Sequence, residues 1–137
     1  MGVRKKWTAI DQLRCDVLVL QEGAVSDLPP ATSAMYQGPA TKCLAALSFN
    51  GWSLERAADD LGMGCLIICE VADPAGHHIA DLAAMWAITG TAKTYTQQIA
   101  SALLMLGSRT RMVPLLLAGD LNASAKGPDP VDHASNI

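Results

Sequence analysis

Two aliphatic runs in this chain lead straight into acids. "VLVLQE" ends on Glu22, and "PLLLAGDLNAS" carries Asp120 with Asn122 two residues on. Ligands of α/β sheets bind at strand ends, so carboxylates placed there are candidates for metal or phosphate chemistry. Asp120 can orient a water or take its proton, and Asn122 can donate a hydrogen bond to an oxyanion without adding charge. Taken alone, Gly119-Asp120-Leu121-Asn122 reads more simply as a turn, because Gly, Asp and Asn favour turns for local hydrogen-bonding reasons.

The other chemistry-bearing side chains have plainer explanations. Cys15, Cys43, Cys65 and Cys69 each lie beside or inside an apolar run and read as buried free thiols. Cys65 and Cys69 are spaced C-x3-C. A strand would point both sulfurs to one face, about 13 Å apart and too far to share a zinc. His77 and His78 follow the turn signal "DPAG" and read as a solvated loop.

The elements that must position Glu22 and Asp120 follow from periodicity. Val3, Trp7, Ile10 and Leu13 form a helical stripe, and "CDVLVLQE" is a strand buried on both faces. "VSDLPPATSAMYQGPA", punctuated by Pro29, Pro30, Gly38 and Pro39, is expected to be a long loop. "TKCLAALSF", "GCLIICEVA" and "HIADLAAMWAIT" are strands. In "SLERAADDLG", Leu54, Ala57, Ala58 and Leu61 suggest a short helix. From Thr94 to Leu106 a capped helix with Tyr95, Ile99, Leu103 and Leu106 on one stripe is expected, with Gly107 past its end. The strand "VPLLLAG" and a polar, Pro-containing tail complete the chain. This order predicts an α/β domain with a mixed, partly antiparallel sheet and helices on one face.

Composition narrows the partners. Half of the 137 residues are hydrophobic and 17% are charged, which fits one packed domain. The net charge of -3 supplies no broad basic field for non-specific nucleic-acid binding. No stretch approaches the roughly 20 apolar residues of a membrane span, and no secretory segment precedes the domain, so a cytoplasmic location is expected. "CDVLVLQE", "GCLIICEVA" and "VPLLLAG" are apolar at successive positions, so both sheet faces want cover while two helices cover one. A homodimer packing sheet against sheet is the expected remedy.

"DVLVLQE" at 16–22 and "PLLLAGDLNAS" at 114–124 together resemble the endonuclease/exonuclease/phosphatase family of metal-dependent phosphoesterases, whose site is built from a Gln-Glu and a later Gly-Asp-Phe-Asn, each after a strand. "KKWTAIDQL", "TKCLAALSFNGW" and "YTQQIASAL" resemble the elements between and before these motifs, so the likeness runs to about Ser124. It implies a partial domain over 1–124, similar to the N-terminal half of a four-layer α/β sandwich, followed by an irregular polar tail over 125–137. In the family, the "SLERAADDLG" region is usually extended.

The resemblance implies roles for the matched residues. Glu22 would hold magnesium or manganese, Asp120 would orient or deprotonate the attacking water, and Asn122 would help to fix phosphate and nucleophile. The substrate would be a phosphate ester, a class that includes nucleic acid. Leu121 stands where the family has Phe. The family's early Asn and its Ser-Asp-His motif have no counterpart. Asp132-His133 lies too close to Asn122, and Trp86 and Ile88 occupy a region where many relatives carry a His. Loss of a positioned acid-base group typically costs about 10²- to 10⁴-fold in rate. Two readings therefore stand: a weakened phosphoesterase, or a non-catalytic binding or assembly module on the same scaffold.

Overall fold

The computed structural model describes residues 6–88 and 93–121. Its elements are α1 (Trp7–Asp11), β1 (Val17–Gly23), β2 (Ser33–Gln37), β3 (Cys43–Ser48), β4 (Ser53–Arg56), β5 (Leu66–Ala72), β6 (His78–Trp86), α2 (Tyr95–Gly107) and β7 (Leu115–Asp120). They form two sheets, one ordered β1-β3-β2 and the other β4-β5-β6-β7. All pairs are antiparallel except β6 with β7, which run parallel. The mixed, partly antiparallel α/β architecture is as the sequence predicts.

Alternation along β5 and β6 explains their unbroken apolar sequence. Ile67, Cys69 and Val71 of β5, with Ala80, Leu82, Ala84 and Trp86 of β6, face the other sheet and pack with Leu44 and Ala46 of β3. Leu66 and Ile68, with Ala83 and Met85, face the opposite way and pack beneath Ala102 and Leu106 of α2. Each face of these strands thus has its own apolar cover, which is why their central residues are apolar on both faces. Two hydroxyls tie β3 to β2 and β2 to the other sheet. Ser48 Oγ accepts from the Ser33 amide at 3.1 Å, and Ser33 Oγ accepts from the Leu54 amide at 3.1 Å, crossing from one sheet to the other.

This sandwich removes the ground for expecting a homodimer. That argument needed a bare sheet face, and the chain's own three-stranded sheet covers it. β7 also departs from the reading of a doubly buried strand. It lies at the sheet's edge, with Leu116 and Leu117 about half exposed.

Local misreadings have local causes. The expected long loop contains β2, whose five residues alternate between half-buried and exposed and take their strand form from pairing with β3. The expected helix at "SLERAADDLG" is β4 followed by a turn. Leu54 and Ala57 are buried, but Leu61, the last member of the apparent stripe, is 79% exposed. Asp60 ends the strand: its carboxylate accepts from the Gly62 amide at 2.9 Å, the Ile68 amide at 3.0 Å and Arg56 Nη1 at 2.7 Å. Helix α1 is described over Trp7–Asp11 and buries none of its residues, so it gives no core cover. In α2 the capping box of Thr94 and Gln97 fixes the start as expected, but the buried stripe is Gln98, Ala102 and Leu106, while Leu103 is exposed.

Cys43, Cys65 and Cys69 are buried free thiols, and Cys15 is half-buried. Cys65 precedes β5 and joins the layer under α2, whereas Cys69 lies between the sheets, so the two do not share a face. His77 is largely exposed as expected. His78 Nε2 lies 2.7 Å from buried Asp81, which also meets Arg109 Nη1 at 3.3 Å, an ion-pair distance without hydrogen-bond geometry. Among the described residues no helix is long and apolar enough to cross a membrane.

The Asp60 side chain is only 1% exposed, so removing it takes the acceptor from the part-buried Ile68 amide and releases Arg56 and the Gly62 amide to water. Asp60→Ala should lose about 2–4 kcal/mol in urea unfolding, and Asp60→Asn, which keeps an acceptor, should lose less. Burial pushes the Cys69 thiol from 9.0 up to about 12. The folded chain therefore keeps a proton that the unfolded chain releases. Its contribution is full below the unfolded pKa and is lost as pH climbs toward 12, with a slope of up to about 1.4 kcal/mol per pH unit. Urea unfolding across that window should show a shallower slope in Cys69→Ala than in the parent chain.

Candidate functional site

Glu22 does not simply end β1. Leu20 pairs with Ala45 and Gly23 with Cys43, so Gln21 and Glu22 together oppose the single residue Leu44. This β-bulge places Glu22 at φ 61°, a left-handed conformation that costs an L-residue about 1–2 kcal/mol. Bulges re-aim side chains, and Glu22 lines a cleft of ≈ 240 Å³. Pro39, Lys42, Trp86, Ala87, Ile88 and Tyr95 complete its lining.

Asp120 reaches the same region through the parallel pairing of β7 with β6. It is the register partner of Trp86, and its carbonyl accepts from the Ala87 amide at 3.1 Å. The preceding Gly119, at φ 142°, makes this possible, because a Cβ there would collide with the Met85 carbonyl of β6. The Gly of "GDLN" is thus required by strand packing. The structure brings Glu22 and Asp120 to one end of the two packed sheets. Asn122 lies outside the described residues, as do Asp132 and His133.

The cleft also holds residues that sequence reasoning did not select. Lys42 Nζ lies 3.4 Å from Glu22 Oε1 and 5.5 Å from the centre of the Trp86 ring. Lys42 precedes β3 directly, and the β1–β3 register sets it beside the bulge, a relation no motif in the sequence announces. Trp86 and Ile88, noted in place of a family His, do line the cleft. Gln98 fixes this wall from below: its Nε2 donates to the Ile88 carbonyl at 2.7 Å and its Oε1 accepts from the Ile88 amide at 3.1 Å. Asn50, the first Asn in the chain, is no substitute for the family's early Asn. It donates to Asp16 Oδ1 at 3.0 Å beyond the opposite end of β1, beside a larger groove of ≈ 840 Å³ that Glu22 and Asp120 do not line.

Two solved structures share this fold. The human Nocturnin catalytic domain with bound sulfate anion matches with a TM-score of 0.56 at 19% identity, over 88% of this chain and 57% of that one. Truncated Caenorhabditis elegans TDP2 matches with a TM-score of 0.59 at 19% identity, over 93% of this chain and 58% of that one. The chain shares the fold of the matched part of these two structures. It spans less than three fifths of either neighbour. The sequence matches no family model and no curated protein.

The donor set at this end of the fold suits a hard cation. Among the described residues no three His, Cys, Asp or Glu side chains cluster as a closed metal cage. Magnesium does not need one, since one or two carboxylates with waters and substrate phosphate suffice. Exposed Glu22 and Asp120 are such carboxylates.

Strain at Glu22 gives a test of whether its side chain is kept for stability. Glycine adopts φ 61° without steric cost, and the exposed ion pair with Lys42 adds little. Glu22→Gly should therefore raise stability by about 1 kcal/mol in urea unfolding. A loss of stability would show that side-chain contacts outweigh the backbone strain.

Proposed function

We propose that the cleft at the ends of β1, β6 and β7 is a phosphate-ester site and that the chain is a divalent-metal-dependent phosphoesterase domain. The observation that carries this reading is Glu22, held in a strained left-handed bulge and lining a cleft whose Trp86 wall is the register partner of the strand-end Asp120. Backbone strain at an L-residue persists where surrounding structure enforces it, and such residues cluster at functional sites.

Glu22 would hold magnesium or manganese, with Asp120 as the nearby second carboxylate. When bound, the cation would supply charge stabilisation for phosphoryl oxygens. Asp120 would orient the attacking water and accept its proton, and Asn122 would donate a hydrogen bond to the phosphoryl group. Lys42 adds a cation on the cleft's other wall, suited to a phosphate oxygen. The shared fold with Nocturnin and TDP2 supports a phosphate-ester substrate, nucleic acid included. The half-buried Tyr95 side chain in the cleft's lining offers a surface for an aromatic or nucleobase leaving group.

The second reading, a non-catalytic module, draws on the hydrophobic wall of Trp86 and Ile88, where many members of the resembled family carry a His. One experiment separates the two. Hydrolysis of bis-p-nitrophenyl phosphate, p-nitrophenyl phosphate and a short single-stranded oligonucleotide would be followed with magnesium or manganese and with EDTA. The phosphoesterase reading expects slow turnover that EDTA abolishes and that falls at least about 100-fold in Glu22→Gln and in Asp120→Asn, with unfolding midpoints nearly unchanged. Turnover that is absent from the parent chain, or equal in the variants, would leave the binding module.

A further inference from the structure

Lys42 holds the carboxylate that the phosphoesterase reading assigns to a metal. Its ammonium lies 3.4 Å from Glu22 Oε1 and sits over the Trp86 face at 5.5 Å from the ring centre. The side chains are 57% and 63% exposed for Lys42 and Glu22, so the pair is weak and easily exchanged. The position of the ammonium is less free. Lys42 is one residue from Cys43, which pairs with Gly23, so its backbone is fixed beside the Glu22 bulge. The Trp86 ring gives the ammonium a second resting place within the same cleft.

We infer that Lys42 is a built-in competitor for the cation site at Glu22, and that a phosphate group relieves the competition, so that phosphate and metal bind in mutual support. The inference rests on the reading of Glu22 as a metal ligand. A divalent cation on the Glu22 carboxylate would sit a few ångströms from the Lys42 ammonium, and like charges at that separation repel even in water. A phosphate oxygen is a stronger partner for the ammonium than a shared, solvated carboxylate. Once Lys42 moves to phosphate, Glu22 is released to the cation. Because the coupling is thermodynamic, each ligand raises the affinity of the other by the same factor. Lys42 acts here as a positioning residue, through Glu22.

The test is manganese binding to the full chain, read as free-ion electron paramagnetic resonance, with and without inorganic phosphate and with each buffer calibrated without protein. Lys42→Gln should bind manganese about three- to tenfold more tightly than the parent chain when phosphate is absent. Lys42→Arg, which keeps the charge, should match the parent chain. Phosphate should tighten binding by a larger factor in the parent chain than in Lys42→Gln. Equal or weaker binding by Lys42→Gln, with Glu22→Gln weakened, would overturn the competition and leave the metal reading intact. Equal binding by the parent chain and Glu22→Gln would instead remove Glu22 from the metal site, and the inference with it. Since Lys42 is exposed and outside the core, its variants should melt with the parent chain, which a thermal scan verifies.

Discussion

The fold depends on the burial of β6 on both faces. One face, with Ala80, Leu82, Ala84 and Trp86, is the floor of the core between the sheets, and the other, with Ala83 and Met85, is the bed for α2. The small side chains along it let β3 on one side and α2 on the other approach closely, as dense interiors require. β6 also sets the parallel register of β7, which carries Asp120, and its last residue, Trp86, forms a wall of the cleft. A single strand thus links the packing of three layers to the placement of the candidate site.

What could be read from the sequence was what local chemistry decides. Helix α2 was legible because Thr94, Gln97 and a helical period lie within one short segment. The buried stripe was misassigned because Gln98, a polar residue, is buried to hold the Ile88 backbone, which hydropathy does not reveal. β2 was missed because its strand form comes from pairing with β3, and β4 was misread because Leu61 kept a helical spacing by coincidence while Asp60 turned the chain. The second sheet was invisible for a deeper reason. An apolar strand looks the same whether its cover is a helix, a sheet of the same chain or a second copy.

The candidate site divides along the same line. Glu22 and Asp120 stand out as acids ending aliphatic runs, and the family resemblance rests on the same residues. Lys42 does not, because its meeting with Glu22 is made by a bulge and an antiparallel register. The chemistry of the cleft is therefore more mixed than two acids imply: a carboxylate under strain, an ammonium beside it and an aromatic face beneath.

Gly119 and Asp120 are neighbours in sequence and answer to different pressures. Any side chain at 119 meets the Met85 carbonyl, so the position tolerates no replacement without moving β7 away from β6. That demand holds whether or not the molecule turns over a substrate. A mutational scan that found position 119 intolerant would be reporting architecture, and only position 120 would bear on the proposed chemistry. If Asp120 has the proposed role, the glycine beside it is therefore an internal control for reading tolerance at the acid.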